Sequence, residues 1–214
     1  MAESSPTGLL AVWLHVPPEY EEEFNAWYDT ERLPQITRIP GVLKGRRYQA
    51  LDGVPKYLAL YDLQDETITA GPAFQQVLAT PTPWAARILR LTRDSHRATT
   101  YRLLSTAGTA PVHDTPYLYI GTHDIAVEFE QEFNAWYDLE HAPGLARVPG
   151  CPRVRRFLAV NSRPKYMAID DLERLDVIKS VAWATARDTE WTARLRPHRQ
   201  NRTLQLYQLI CPTP

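Results

Sequence analysis

The chain has 214 residues, 44% of them hydrophobic and 23% charged, with 24 Lys+Arg against 25 Asp+Glu and a formal net charge of -1. That is globular usage, enough for one large domain or two small ones, and it excludes collagen and a disordered chain. The near-zero charge gives no electrostatic reason to expect nucleic acid or an anionic membrane as a partner, and no apolar run approaches the roughly 20 residues that span a bilayer.

The amino terminus has no basic segment ahead of its short apolar run and no small-residue cleavage site after it. Two cysteines, Cys151 and Cys211, are too few for a disulfide framework, and no CxxC or HExxH spacing offers a metal cage. A soluble cytoplasmic protein without a metal is expected.

In chain order, GLLAVWLHV is apolar and β-prone, and PPEYEEEFNAWYDTERLPQI opens with prolines and acids that suit a helix start. RRYQAL and PKYLALYDL, around a turn at Asp52-Gly53, predict a hairpin. A helix through Trp84 and a strand near TTYRLLS complete a βαββαβ run. STAGTAPVHDTP (105–116) reads as a linker. The same order then returns as YLYIGTHDI, EFEQEFNAWYDLEHAPGLARV, VRRFLAV, PKYMAIDDL, a helix through Trp183 and Trp191, and TLQLYQLI.

The repetition is literal. EFNAWYD begins at Glu23 and again at Glu132, an offset of 109, and about half of the positions from Phe24 to Leu63 are identical to their counterparts. The expected organisation is therefore 1–106 as repeat 1, 107–116 as linker and 117–214 as repeat 2. Each repeat has the ferredoxin-like element order, an antiparallel sheet with helices on one face. Such a unit leaves its other sheet face bare, and packing two such faces sheet to sheet as an intramolecular pseudo-twofold α+β barrel covers both.

With its N-A-W-Y-D-x-E-[RH]-x-P and P-K-Y motifs and this element order, the chain resembles the dimeric α+β barrel superfamily, EthD-like proteins in particular, as a tandem fusion. The resemblance covers nearly all of both repeats. It implies a fold shared by cofactor-free monooxygenases, lyases, isomerases, cyclases and haem enzymes, and fold does not choose among them.

Helical spacing places Asn134, Asp138 and His141 on one stripe and Tyr137 on the next, so Asp138 is expected to orient His141 as a general acid or base. Repeat 1 keeps Asn25 and Asp29 but has Arg32 at the position of His141, which suggests unequal halves. The resemblance implies a functional histidine in the x-H-x-P setting, which His141 with Pro143 matches and Arg32 with Pro34 does not. His15 and His123, near the ends of the first strands, are further candidates. Trp27, Tyr28, Trp136 and Tyr166 offer flat surfaces and hydrogen-bond donors for a substrate, although aromatics at helical spacing more often belong to the core.

One arginine of each pair, Arg46-Arg47 and Arg155-Arg156, is expected to point inward and to need an anionic partner. RLRPHRQNR (194–202) reads as a solvated connection rather than a nucleic-acid patch. His96 and His198 are the conceivable haem ligands, both in polar surroundings that disfavour haem. The expected function is a cofactor-independent lyase, isomerase or cyclase acting on a small apolar or aromatic carbonyl compound. Alternatives are a cofactor-free monooxygenase of polyphenols and a non-catalytic binding or scaffold protein. The expected partner is a small molecule, without nucleic acid or membrane, and the fused barrel could itself form a homodimer.

Overall fold

The computed structural model describes residues 6–212; residues 1–5, on which the reading of the amino terminus partly rests, lie outside them. The first strand, β1 (Gly8–Leu14), is buried along its whole length and ends ahead of Pro17 and Pro18. Three glutamates then open α1 (Glu21–Trp27), where they meet the positive end of the helix. The helix widens into a π turn (Tyr28–Arg32) before tightening again as α2 (Leu33–Thr37). Strands β2 (Val42–Ala50) and β3 (Tyr57–Leu63) form the expected hairpin, with Gly53 at φ +79° in the turn, a conformation that side chains with a Cβ rarely adopt.

Where one helix through Trp84 was expected there are two, α3 (Pro72–Ala79) and α4 (Pro83–Leu91). Pro81 and Pro83 cannot continue a helix, and Thr82 caps the new one by accepting from the Ala85 amide. Strand β4 (Arg97–Gly108) closes the repeat.

The second repeat follows the same plan: β5 (Tyr117–Ile125), α5 (Glu130–Trp136), a π turn (Tyr137–His141), α6 (Ala142–Leu145), β6 (Arg153–Ala159) and β7 (Tyr166–Leu172). Its late helix is also divided, into α7 (Val181–Arg187) and α8 (Glu190–Leu195), capped by Ser180 and Thr189. Strand β8 (Arg199–Pro212) ends it.

Pairing within each repeat is antiparallel. In the first repeat β3 lies between β2 and β1, and β1 pairs with β4 on its other side. In the second, β7 lies between β6 and β5, and β5 pairs with β8. The chain divides into two compact units, one running to Arg102 and including the last residues from Leu209, the other Leu103–Gln208. This division falls inside β4 and β8. The strand also takes Ser105–Gly108 from the segment that composition marks as linker.

Each unit buries its helices against one face of its own sheet. In unit 1 the cluster includes Leu10, Val12, Phe24, Trp27, Tyr57, Tyr61, Phe74 and Ile88; in unit 2 it includes Phe133, Trp136, Tyr137, Tyr166, Leu172 and Trp183. Tyr57 and Tyr166 thus face their helices, and Leu58 and Met167, one residue along, face the other way. No helix of the described residues is long and apolar enough to cross a membrane.

Candidate active site

The conserved motif residues within the chain do a structural job first. Arg156, on β6, is almost fully buried and donates to Asp138 Oδ1 at 2.7 Å and to Asn134 Oδ1 at 2.8 Å, with its guanidinium 4.3 Å from the Tyr137 ring centre. Unit 1 repeats this clamp: Arg47 ion-pairs with Asp29, donates to Asn25 at 2.7 Å and lies 4.5 Å from the Tyr28 ring centre. An inward arginine with an internal acidic partner was expected, and Asp29 and Asp138 are those partners. Arg46 and Arg155 pair with Asp62 and Asp171 on the opposite sheet face.

This geometry overturns the pairing of Asp138 with His141. Asp138 turns to Arg156 and to the Ser105 hydroxyl. The π turn spans both residues and changes the angle per residue, so a spacing of three no longer marks one face. Asn134 follows Asp138 away from His141, receiving Arg156 and donating to Tyr166 Oη at 3.3 Å.

His141 instead joins a cavity of about 440 Å³ inside unit 2, between its sheet and helices. That volume suits a small organic substrate. Tyr119, Gly121 and His123 of β5, Tyr137 and His141 of the π turn, Asp170 of β7 and Trp183 of α7 form its body. The sequence brought His123, Tyr137 and His141 forward, and the structure brings all three together. The His141 ring stacks on Trp136 at 4.2 Å and meets Tyr137 edge-on at 5.0 Å. His123 packs edge-on against Phe133 at 5.1 Å.

Burial dominates the electrostatics. It pushes both imidazoles down to about 3, with the positive charge of Arg199 as the next cause, so both are neutral near pH 7. It pushes the Asp170 carboxyl up to about 8, with help from the neighbouring Asp171 charge. Tyr137 is pushed up to about 12. Three buried polar atoms of the cavity wall have no hydrogen-bond partner in the protein, Asp170 Oδ1, His123 Nε2 and His141 Nδ1, and neither does Trp136 Nε1, on the ring stacked against His141. Buried groups of this kind call for an ordered water or a ligand as partner.

Sequence reading missed Asp170 and the mouth. Arg187, Arg196, Arg199 and Arg202 all reach the cavity. The run 194–202 is therefore not simply a solvated connection, because the turn from α8 into β8 folds three of its arginines over the opening. The signal that could have revealed both was divergence between the repeats. At the offset of 109, Leu14, Tyr61 and Leu78 stand where His123, Asp170 and Arg187 stand, the Asp170 position within a strand whose neighbours otherwise match closely.

The equivalent space in unit 1 is only about 90 Å³, lined by Leu10, Val12, Leu14, Tyr28, Arg32 and Tyr61 among others. An apolar cavity of roughly 150 Å³ holds one benzene, so this one has little room for a ligand. The remaining candidates lie outside the larger cavity. Trp27 and Trp136 are core residues, about 1% and 0% exposed, with Trp27 Nε1 donating to Glu31. Tyr166 donates to Glu130 beside the Arg156 clamp, in an open surface depression. Tyr28 lies 3.4 Å from the Tyr61 hydroxyl. Arg32 donates to Gln35, and His15 is fixed through its backbone to Ser95.

His198 is stacked on Phe129 with ring centres 3.5 Å apart, and His96 borders the 90 Å³ space of unit 1. Among the described residues no cluster of three His, Cys, Asp or Glu could hold a metal ion.

No protein-family model matches the chain, and no curated protein matches it. Solved structures do. An anthrone oxidase-like protein matches with a TM-score of 0.66 and 14% identity over 99% of this chain and 94% of its own. A proposed monooxygenase from Fusobacterium nucleatum matches with a TM-score of 0.65 and 11% identity over 97% and 94%. Chlorite dismutase from Candidatus Nitrospira defluvii, solved with imidazole, matches with a TM-score of 0.63 and 11% identity over 98% and 93%. At such identities the likeness is one of fold. It does not extend to the narrower EthD-like assignment.

Proposed function

We propose that the chain is an enzyme that moves a proton on a small aromatic or carbonyl compound held in the cavity of unit 2. The observation that carries this reading is the burial, around one substrate-sized space, of a carboxyl and two imidazoles, each with one polar atom that has no partner in the protein. Asp170 takes the role first given to His141. A carboxyl held at about 8 exchanges a proton readily at neutral pH, whereas an imidazole held near 3 is a weak base. In an enolisation, Asp170 in its carboxylate form removes the proton alpha to the carbonyl. The electron pair moves onto the carbonyl oxygen, and a neutral imidazole N–H of His123 or His141 donates to that oxygen. Return of the proton to a different carbon, or loss of a leaving group, gives isomerase or lyase outcomes. No cofactor is assigned to these steps.

The test is solvent-deuterium exchange into a set of enolisable aryl ketones, followed by NMR. Exchange should fall by a factor on the order of 10² to 10⁴ in Asp170→Asn. Exchange unaffected by that substitution would remove Asp170 from the chemistry.

A second reading is a cofactor-free monooxygenase. The aromatic wall of Tyr119, Tyr137 and Trp183 favours it, as do the names of the anthrone oxidase-like and monooxygenase neighbours. Here the deprotonated substrate would reduce O₂, an anthrone consuming one O₂ and yielding the quinone and water. Oxygen uptake with an anthrone separates the two readings.

The two repeats are further read as ferredoxin-like halves of one pseudo-twofold α+β barrel, with 1–106 and 117–214 as the duplicated segments. The likeness to solved structures over nearly the whole chain supports this arrangement.

A further inference from the structure

We infer that the cavity of unit 2 takes a planar anion, an aromatic body bearing a carboxylate, with the negative group held by Arg199 and Arg202. This names a substrate class for the proposed proton-transfer site and so rests on that reading for its chemistry, though not for binding.

The first ground is unbalanced positive charge. Of the four arginines at the cavity, Arg187 and Arg196 share the Asp188 carboxylate, each at 2.5 Å. Among the described residues Arg199 and Arg202 form no ion pair. Arg202 is exposed at the rim, whereas Arg199 is half-buried, its Nε has no hydrogen-bond partner, and its guanidinium lies 5.5 Å from the Trp136 ring centre. A cation removed from water without a counterion is costly, and a bound carboxylate would supply that counterion with two parallel hydrogen bonds.

The second ground is the contrast between repeats. Val12 pairs with Ala98 in unit 1 as Gly121 pairs with Leu204 in unit 2, so His96 corresponds to Arg202. Leu78 corresponds to Arg187 at the offset of 109, and Leu89 to Arg196 by the alignment of Trp84 with Trp191. The larger cavity is lined by four arginines and the smaller space by one, Arg32. Arginines serving the fold alone would be expected in both copies, as Arg47 and Arg156 are.

The third ground is shape. Tyr119, Tyr137 and Trp183 flank the space with flat rings, and about 440 Å³ exceeds the roughly 150 Å³ that holds a single benzene. Two fused rings with one carboxylate meet both constraints.

The experiment is calorimetric titration of the full chain with 2-naphthoate and, as its uncharged counterpart, 2-naphthamide. The acid should bind at least tenfold more tightly than the amide. Arg199→Gln combined with Arg202→Gln should abolish that preference, and Arg194→Gln, which pairs with Glu132 outside the cavity, should retain it. Equal affinity for acid and amide, or a preference that survives in the double variant, overturns the proposal. Near-UV circular dichroism checks that the double variant is folded. If it is not, Arg199→Gln and Arg202→Gln are titrated as single variants, and an acid preference undiminished in both overturns the proposal as well. Asp170→Asn should bind naphthoate while losing exchange. An absent acid preference with Asp170-dependent exchange intact sinks the anion site alone, and the reverse result sinks the proton-transfer reading alone.

Discussion

Asp170 works against the fold that holds it. Its carboxyl is raised to about 8 from an unfolded value near 4, so between those pH values the unfolded chain releases a proton that the native chain keeps. Its contribution to stability is therefore intact below about pH 4 and is lost progressively as pH rises to about 8. His123 and His141 act in the opposite direction. Lowered to about 3, they are neutral in the native chain while the unfolded chain binds protons below about 6.5, so acid weakens the fold over that interval. Two rising contributions outweigh one falling contribution up to about pH 6.5, after which only the fall remains. From these three groups, urea midpoints should be highest near pH 6.5. Asp170→Asn should flatten the decline from pH 6.5 to 8, so the variant that loses activity should gain stability at pH 8. Asp138→Asn should differ. It weakens a clamp on Arg156 whose acidic partner is about half exposed, so about 1 kcal/mol of stability should be lost with the pH–rate profile unchanged. Asp29→Asn should behave alike, since Arg47 has the same partners in the same order.

At the level of strands and helices, the cavity exists because β5 is thinner than β1. Gly121 stands where β1 has Val12, and a Cβ placed there would meet the end of the Leu204 side chain at 3.0 Å, a contact a small rotation relieves. Gly121→Val should therefore fold, shift the melting temperature by only a few degrees and weaken ligand binding by narrowing the cavity, as judged by titration. Much of this level was legible beforehand. Strand and helix order followed from apolar spacing, and the inward arginines followed from strand alternation. Three features were not. A π turn leaves no distinctive spacing, so the reading of Asp138 beside His141 assumed an angle per residue that the chain does not keep. The basic run at 194–202 was judged by its composition, while its role depends on where the α8-to-β8 turn carries Arg196, Arg199 and Arg202. Asp170 was hidden in the pair Asp170-Asp171, of which only Asp171 matches repeat 1. Comparing the two repeats position by position, rather than scanning for catalytic motifs, would have exposed it.

For the whole molecule, duplication was the most legible property, because 20 of 40 positions agree between Phe24–Leu63 and Phe133–Leu172 without a gap. The sheet face of unit 1 opposite its helices carries Leu9, Ala11, Trp13, Leu58 and Leu60, all nearly inaccessible to solvent in the full chain. Residues 1–106 expressed alone should expose such a surface, and sedimentation should show a dimer or aggregate. A stable monomer would contradict the proposed barrel. The near-filled space of unit 1 also has a practical value. It gives the protein an internal blank: Trp27 sits in the same fold context as Trp136, but beside a space with little room for a guest. In a sample labelled with fluorotryptophan, resonances from Trp136 and Trp183 should move on adding ligand while those from Trp13 and Trp27 stay in place. A single spectrum would thus carry both the measurement and its control.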